Sequence, residues 1–377
     1  MRVRLVGDPL EWEAVATALP GGNILQSYEW GEFKTAFGWR PLRLVVEREG
    51  RPLAGAQMLL RGSPLGAIAY IPRGPLVSLE EQAAADLLLS TLHEQARAAG
   101  ACFLKIEPNL ANSGALAKNL SIRRFCPSDC VQPRSTIIVD LTAEPVAMEK
   151  RLSRRIRYNI RLARRKGLRC ARGDGDDLGE FYRLLTETAA RGNFFVHPLS
   201  YYQELWERFA ARGMAHLMLV RFGEAALAAT MFLTAGDRAY QLYSASTTNL
   251  RHLKPNDLLQ WSALVHAREL GCRSYDLWGI PDEVGRRSEQ GEPAGAVLPE
   301  GEKPLGGTMY GVYAFKRGFG GSVVRTVGAY DFAYAPVRYW LWVHLVPAAR
   351  RLAVLAAGRI RRSNGKTTSP AMEAYEA

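Results

Sequence analysis

The sequence contains few of the residues from which the common enzyme active sites are built. Its 377 residues include only six histidines, and none of its five cysteines forms a CxxC pair. It lacks the HExxH, GxSxG and Walker signatures, and no GxGxxG follows a predicted strand. These absences argue against zinc peptidases, α/β-hydrolases, P-loop nucleotidases and dinucleotide-binding enzymes. The sequence therefore predicts neither a metal site nor a bound cofactor.

The chain also lacks the features of a secreted or membrane-spanning protein. Its scattered cysteines predict reduced thiols, and Cys126 and Cys130 have no further cysteine or histidine beside them to complete a metal site. The first residues contain no apolar stretch of signal-peptide length, and no apolar run reaches the length of a membrane span. A cytoplasmic location is expected.

Acidic residues are nearly missing from one segment. The formal net charge is +12, and between Glu149 and Arg172 eleven lysines or arginines accompany a single glutamate. One short segment therefore accounts for most of the charge imbalance. It predicts a polyanionic partner, either a nucleic acid or an anionic membrane surface.

This basic segment has the pattern of an amphipathic helix. Leu152, Ile156, Ile160 and Ala163 form one apolar stripe at spacings of four, four and three, and Gly167 ends the pattern. A structural helix would normally interleave glutamates, so phosphate binding is favoured over a merely solvated face. The basic residues predicted to bind phosphate are Arg154, Arg155, Arg157, Arg161, Arg164, Arg165 and Lys166.

The length and a hydrophobic content of 47% predict two well-packed domains. Each half of the chain shows a hairpin, a strand, a helix and a further strand in the same order. The turn at Gly50 precedes the helix end at Gly100 by fifty residues, and Gly223 precedes Gly271 by forty-eight. We interpret this as a duplicated α+β domain, with chance similarity as the alternative.

The segment Thr308–Asp331 contains the main candidate for chemistry. Apolar residues alternate on both sides of the glycine-rich stretch Gly318–Gly321 and predict a β-hairpin, with Phe315 and Lys316 on its first strand. Lys316 would lie among aromatic rings at a functional site, or be an exposed lysine without a role.

Other polar side chains are candidates for ligand binding. Lys34 lies beside an aromatic stripe in the predicted helical segment Asn23–Trp39. Asn256 precedes a helix and could equally cap it, and Tyr243 could equally pack against its neighbours. The remaining candidates are Asp276 and Tyr313.

The last part of the chain leaves alternatives open. The loop Pro281–Gly307 is rich in glycine, proline and charge, which is typical of either a mobile flap or plain disorder. The apolar stretch after Asp331 could form a helix that packs on the first domain, or an interfacial anchor with Trp340 and Trp342 at headgroup depth.

Several segments together resemble the FemABX family. Its members are peptidyltransferases that add amino acids from aminoacyl-tRNA to the peptidoglycan precursor, and the resemblance covers residues 23–331. The segments that carry it are QSYEWGEFK, RRIRYNIRLARRKG, YSASTTNLRHLKPNDLLQWSALVHARELGCRSYDLWGI and YGVYAFKRGFGG.

The resemblance implies an α/β fold of two tandem GNAT-like (acyl-CoA N-acyltransferase-like) domains, with mixed sheets flanked by helices. The first domain would span 1–148 and be completed by a C-terminal helix at about 332–362. The second would span 149–331 and open with the basic helix, and 363–377 would be a disordered tail. The implied partners are aminoacyl-tRNA and a nucleotide-linked or lipid-linked muropeptide, with peripheral contact to the inner face of the membrane.

The resemblance also implies roles for individual residues. Lys316 matches the family's lysine at the reaction centre, beside Phe315, and Lys34 matches the lysine that contacts the precursor's nucleotide phosphate. The family's arginine near HPLSYY has no counterpart, and Arg191 is its candidate substitute. The long helical arm of some members is absent, so the basic helix is the candidate tRNA site. The predicted substrate-binding residues are Lys34, Tyr243, Asn256, Tyr313 and Arg191.

Two other functions stay open at this stage. A GNAT enzyme using acyl-CoA would need a (Q/R)xxGx(G/A) loop at a strand-to-helix junction, and the RAAGA sequence at Arg97 falls at a predicted helix end instead. A non-catalytic adaptor could bind RNA or membrane through its arginines.

Overall fold

The structure, a computed structural model, describes residues 1–78, 80–192, 194–291 and 309–345. The chain forms two compact units. The first contains Met1–Gln132 and Thr326–Ala377, and the second contains Pro133–Arg325. The chain therefore leaves the first unit, builds the second and then returns to the first.

The first unit is a mixed sheet with helices. Its elements before the chain leaves are β1 (Arg2–Leu5), α1 (Pro9–Ala18), α2 (Tyr28–Thr35), β2 (Arg40–Arg48), β3 (Arg51–Arg61), β4 (Ala67–Ile71), β5 (Leu76–Val77), α3 (Gln82–Ala98), β6 (Ala101–Ile106), α4 (Gly114–Ile122) and β7 (Cys126–Ser128).

The second unit follows without interruption. Its elements are β8 (Ser135–Asp140), α5 (Pro145–Arg151), α6 (Arg154–Arg165), β9 (Arg169–Gly173), α7 (Leu178–Gly192), α8 (Leu199–Ala210), β10 (Ala215–Phe222), β11 (Ala225–Ala235), β12 (Arg238–Ser246), α9 (Pro255–Glu269), β13 (Ser274–Ile280), α10 (Asp282–Glu289), α11 (Met309–Lys316) and β14 (Ser322–Arg325). Strand β15 (Ala329–Ala333) then rejoins the first unit.

The two sheets have the same topology, which confirms the predicted duplication. The first sheet has the order β1-β2-β3-β4-β6-β15-β7, with β5 beside β3, and the second has the order β14-β8-β13-β12-β11-β10-β9. In each, three antiparallel strands lead into a helix and then into a strand parallel to the third: β4 pairs with β6, and β12 pairs with β13. Each crossover helix buries its apolar face, α3 against the first sheet and α9 against the second.

The predicted domain bounds differ from the units in two strands. Strand β8 falls within the predicted first domain, 1–148, but it pairs with β13 in the second sheet. The first three residues of strand β15 fall within the predicted second domain, 149–331, but the strand pairs with β6 in the first sheet. The predicted bounds at 148 and 331 are therefore wrong, and the chain passes between the units instead at residues 132–133 and 325–326. Periodicity along the chain does not reveal which strand a segment pairs with, because pairing across a sheet joins segments that are distant in sequence.

Helix α6 lies where the basic helix was predicted. Ser153 caps it, its hydroxyl accepting a hydrogen bond from the Ile156 amide at 3.3 Å, and Gly167 ends the segment with a φ of +87°. The predicted apolar stripe packs into the core of the second unit, with all four residues less than 4% exposed: Leu152, Ile156, Ile160 and Ala163.

The predicted hairpin around Lys316 is wrong in its first half. Residues Met309–Lys316 form helix α11, and only the segment after the glycines is a strand, β14. A short run with many apolar residues fits both strand alternation and one helical face. Packing decides for the helix, because Tyr310 and Tyr313, three residues apart, both contact the core of the second unit.

Some predictions lie wholly or partly outside the described residues. Of the loop Pro281–Gly307, residues 282–289 form α10, and residues 292–307 lie outside. Of the predicted C-terminal helix 332–362, residues 336–345 are helical, whereas residues 332 and 333 end strand β15 and the helix begins only at 336. Residues 346–362 and the predicted tail lie outside. Within 336–345, Tyr339 and Trp342 contact the ring of Phe103 in β6.

Candidate functional site

Lys316 is the last residue of α11, and its side chain is held by the neighbouring strand β13. The ammonium donates hydrogen bonds to the backbone carbonyl oxygens of Gly279, at 2.7 Å, and Trp278, at 3.2 Å. The residue is half-buried. A lysine has three N–H donors, so this clamp leaves one donor to point at a ligand.

The two carbonyls face Lys316 because β13 is irregular at this point. The pairing of β13 with β8 shifts register between Asp276 and Gly279, and Trp278 has a φ of +62°, a left-handed conformation that is unfavourable for a bulky side chain. Such strain persists only where surrounding contacts hold it in place, and it is often found at functional sites.

Asp276 supplies those contacts. Its carboxylate is buried and accepts a hydrogen bond from the Trp278 amide at 2.8 Å and another from the Thr136 hydroxyl. The Thr136 hydroxyl also lies 3.0 Å from the Trp278 carbonyl oxygen. Asp276 and Thr136 thus hold the bulge that clamps Lys316, and we call Thr136, Asp276, Trp278 and Lys316 the lysine clamp.

Burial lowers the pKa of Lys316 to about 8, and the nearby negative charge of Asp276 opposes that shift. The group is therefore an ammonium at neutral pH and loses its proton within the mildly alkaline range. A cation in this setting can stabilise negative charge that develops on a bound substrate.

The glycine-rich turn after Lys316 is required by close contacts. A side chain at Gly321 would come within 2.6 Å of the Ile138 carbonyl oxygen, and one at Gly318 within 2.6 Å of Ile156 in α6. The Gly318 carbonyl also accepts a hydrogen bond from the Ser153 amide at 2.9 Å. The start of α6 therefore packs directly on the turn that follows Lys316.

The aromatic neighbours of Lys316 pack as part of the core. Phe315 is half-buried, and its ring lies 5.0 Å from that of Phe319. Tyr313 is 4% exposed, with the Arg317 guanidinium 5.9 Å from its ring centre. Both residues therefore anchor α11.

Lys34, in the first unit, lies in an aromatic cage. Its ammonium is 5.9–6.0 Å from four ring centres, and the side chain is only 3% exposed. Burial, helped by the charge of Arg61, lowers the pKa of Lys34 to about 7. The four rings are those of Trp30, Phe33, Phe37 and Trp39.

Tyr243 belongs to an aromatic cluster in the second unit. Its ring meets Tyr202 edge-on at 5.1 Å, and its hydroxyl is hydrogen-bonded to that of Tyr201. Burial raises the pKa of Tyr243 well above its usual value. The imidazole of His197 stacks on Tyr201 at 3.8 Å. These rings form an apolar wall with neutral hydroxyl groups.

Arg191 and Asn256 meet at the end of β12. The Arg191 guanidinium donates to the Ser246 carbonyl at 3.1 Å, and the Asn256 amide donates to the Ser246 hydroxyl at 3.1 Å. Asn256 lies inside α9, after Pro255, and it is Lys254 that occupies the capping position. Helix capping is therefore not the role of Asn256.

The predicted phosphate-binding residues lie along helix α6 and at its C-terminal end. Arg157 is half-buried and donates to the carbonyls of Lys150 and Leu152, at 2.9 and 2.6 Å. Arg161 is within 3.5 Å of the Glu149 carboxylate. The remaining five are exposed: Arg154, Arg155, Arg164, Arg165 and Lys166.

Sequence reasoning missed Thr136 and Trp278 altogether. Thr136 lies 140 residues before Asp276 and meets it only through the pairing of β8 with β13. The left-handed backbone of Trp278 has no signature in its residue type. The one available signal was Asp276 itself, the single charged residue of strand β13.

Two family models match this chain. Residues 150–285 match the model described as Acetyltransferase (GNAT) domain, and residues 9–123 match the FemAB family. The FemAB match lies in the first unit and the GNAT match lies in the second, which confirms the predicted resemblance to this family. The protein is an enzyme of the acyltransferase class.

Similar proteins cover nearly the whole chain. The Lipid II:glycine glycyltransferase of Staphylococcus aureus (strain USA300) is 24% identical over 430 aligned positions, which cover 93% of this chain and 98% of that protein. The crystal structure of FemX has a TM-score of 0.78 at 23% identity, covering 90% of this chain and 99% of the other. A tandem GNAT protein from the clavulanic acid biosynthesis pathway has a TM-score of 0.53 at 13% identity, covering 88% and 98%. These likenesses show the predicted fold of two tandem GNAT-like units.

Proposed function

We propose that this protein is a non-ribosomal peptidyltransferase, which moves an amino acid from aminoacyl-tRNA to an amine of the peptidoglycan precursor's stem peptide. Its similarity to a lipid II:glycine glycyltransferase over 93% of the chain supports the acceptor class. The observation that carries the proposal is the lysine clamp together with the turn after Lys316, which packs directly on the start of the arginine-rich helix α6 through the contact of Gly318 with Ser153.

The reaction needs little from the protein besides orientation and charge. The acceptor amine attacks the ester carbonyl carbon of the aminoacyl-tRNA, and the carbonyl oxygen becomes an oxyanion. We assign to Lys316 the stabilisation of that oxyanion through its third N–H. The C–O bond to the ribose then breaks, the peptide bond remains, and the ribose oxygen takes the proton lost by the amine.

Substrate binding is proposed for residues of both units. Lys34 would contact a phosphate of the precursor, whose negative charge would favour the ammonium form. Tyr243 would line the acceptor pocket, with Asn256 and Arg191 at the adjoining end of β12. Tyr313 and Phe315 would act by holding α11, and with it Lys316, in place.

Acyl-CoA transfer is the second candidate because the GNAT match covers residues 150–285. The RAAGA sequence at Arg97 speaks against it, because α3 ends at Ala98 and the motif lies at a helix C-terminus. The partial negative charge there repels a pyrophosphate. In the second unit the strand-to-helix connection between β12 and α9, residues 247–254, contains no glycine.

The deciding experiment compares donors. The full-length protein is incubated with nucleotide-linked or lipid-linked muropeptide and either a mixture of charged tRNAs or acetyl-CoA, and the products are weighed by mass spectrometry. We expect a mass increase of one aminoacyl residue with charged tRNA. Acetylation alone would support the acyl-CoA enzyme, and the absence of product with either donor would support a non-catalytic adaptor.

Asp276→Asn is expected to shift the pH dependence of transfer. Asparagine keeps the acceptor oxygen for the Trp278 amide but removes the charge that favours protonated Lys316. We expect the alkaline decline in kcat to move from about pH 8 to lower pH. The pH–rate profile, measured beside an Asp237→Asn control that removes an exposed charge, checks this. An unchanged profile in both variants would reject the role of Asp276.

We also propose that the helical residues 336–345 touch the membrane that would present a lipid-linked acceptor. Tyr339 and Trp342 pack inward, whereas Val337 and Trp340 are 74% and 55% exposed. The sequence of residues 346–366 has six lysines or arginines and no acidic residue. None of the helices in the described part of the chain is both long and apolar enough to cross a bilayer.

Trp340→Ser is therefore expected to weaken binding to phosphatidylglycerol vesicles by roughly tenfold, because the indole would lose its burial in the interface. Vesicle co-sedimentation measures this. Phe222→Ser, which removes an exposed ring from the second unit, serves as the control. Equal binding of both variants and the wild type would exclude this helix as the contact.

A further inference from the structure

Helix α6 presents one continuous face to solvent. Six side chains form this face. They are spaced by three, one, three, three and one residues, so they lie in a single stripe on the side of the helix opposite the buried apolar stripe. They also line one surface depression. We call it the arginine–tyrosine face, and its members are Arg154, Arg157, Tyr158, Arg161, Arg164 and Arg165.

Tyr158 is 59% exposed, and among the described residues its ring packs on no other ring and its hydroxyl makes no hydrogen bond. A solvated tyrosine stabilises the fold little, because most of its apolar area stays in water. A flat ring held among arginines is instead suited to stacking on a nucleobase.

The arginines around Tyr158 are available for phosphate. Arg157 is fixed next to it by its two bonds to backbone carbonyls, and Arg161 has one exposed pair with Glu149. Among the described residues, no carboxylate lies within 4.0 Å of Arg154, Arg164 or Arg165. The face spans about 16 Å from end to end, the reach of a short run of nucleotides.

An exposed ring such as that of Tyr158 suits unpaired RNA better than paired RNA. In an A-form duplex the bases are stacked on one another and the major groove is too narrow and deep for side chains, so a protruding ring has nothing to stack on. An unpaired stretch offers base faces together with flanking phosphates. The combination of one central ring and flanking guanidinium groups therefore fits a single strand.

The position of the face fits the end of a donor. Helix α6 begins at the Ser153–Gly318 contact, two residues from Lys316. A strand lying along the face toward the N-terminus of α6 would thus run toward the lysine clamp. Resting on the proposed function, we infer that the arginine–tyrosine face binds an unpaired 3′ stretch of the donor RNA, with Tyr158 stacked on one base and the arginines on the adjoining phosphates.

The test uses the full chain and two RNA hairpins of one sequence, one with a four-nucleotide 3′ overhang and one blunt, with binding followed by fluorescence anisotropy. We expect the wild type to prefer the overhang. Tyr158→Ala should bind it about 5- to 150-fold more weakly while the slope of affinity against salt stays unchanged. Tyr158→Phe, which keeps the ring, should bind like the wild type, and Arg164→Gln should reduce the salt slope.

Three results would overturn the inference: equal binding of both hairpins, wild-type affinity in Tyr158→Ala, or displacement of the overhang RNA by phosphatidylglycerol vesicles, which would make the face a membrane site. Turnover with aminoacyl-tRNA separates this from the proposed function. If the wild type turns over aminoacyl-tRNA while Tyr158→Ala binds the overhang RNA with wild-type affinity, only the proposed stacking site is rejected. If the wild type shows no turnover with charged tRNA, the proposed function falls whatever Tyr158 does.

Discussion

Replacing Lys316 by alanine is expected to lower kcat for amino-acid transfer by about 100-fold or more, the usual cost of losing one donor to an oxyanion. Lys316 is the only cation in the lysine clamp, and its two carbonyl contacts fix where its third N–H points. An increase in KM with an unchanged kcat would assign Lys316 to substrate binding instead. Full activity of Lys316→Ala on an authentic acceptor would reject the mechanism.

The pH dependence provides an independent check on Lys316. Its pKa is lowered to about 8, so the ammonium loses its proton as pH rises through that value and activity should decline there. Arginine stays charged across this range, and any activity of Lys316→Arg should lack the alkaline decline. The sign for stability is the opposite: between about pH 8 and the ordinary lysine pKa the unfolded state binds more protons, so stability rises with pH across that window.

The second large expected effect is a steep decrease in tRNA affinity as the salt concentration rises. If the six arginines of α6 and the adjoining Lys166 each neutralise a phosphate, the logarithm of the tRNA association constant should fall with the logarithm of salt concentration at a slope of about −5 to −6. Affinity should then drop about 10³-fold between 50 and 200 mM salt. The cause is the release of counterions from the RNA when arginines replace them.

Filter binding over a salt series measures this slope. A variant with Arg154, Arg164 and Arg165 changed to glutamine should show a slope smaller by about 2 to 3. Arg48→Gln with Arg51→Gln, two exposed arginines at a turn of the first unit, controls for the overall loss of charge. A flat response in the wild type would exclude α6 as the tRNA site.

Much of the fold could be predicted because local and global preferences agree. The apolar stripe of α6 is buried as its spacing requires, and the paired glycines at 50 and 223 lie in corresponding hairpin turns, between β2 and β3 and between β10 and β11. The aromatic stripe beside Lys34 became a cage around its ammonium. In each case the residues that determine the local structure are close to one another in sequence.

The predictions for the residues before Lys316 and for Asn256 were wrong because the local sequence fits two structures equally well and long-range packing decides between them. The residues before Lys316 alternate well enough for a strand, but contacts with the core of the second unit make them helix α11. Asn256 has the residue type of a cap, yet it follows Pro255 into the helix and bonds Ser246 on β12 instead. Neither outcome can be read from neighbouring residues, because the deciding partner lies in another element.

The sequence by itself determined the duplicated α+β architecture and the charged helix, and it singled out Lys316 as the candidate for chemistry, since these depend on periodicity, composition and family motifs. Only the tertiary structure decided what holds Lys316: a strained bulge at Trp278, supported by Asp276 and by Thr136 from a strand 140 residues away in sequence. Only it placed the start of α6 against the turn at Gly318. The physical reason is that sheet pairing and helix packing bring distant residues within hydrogen-bonding distance, and no local pattern records those partners.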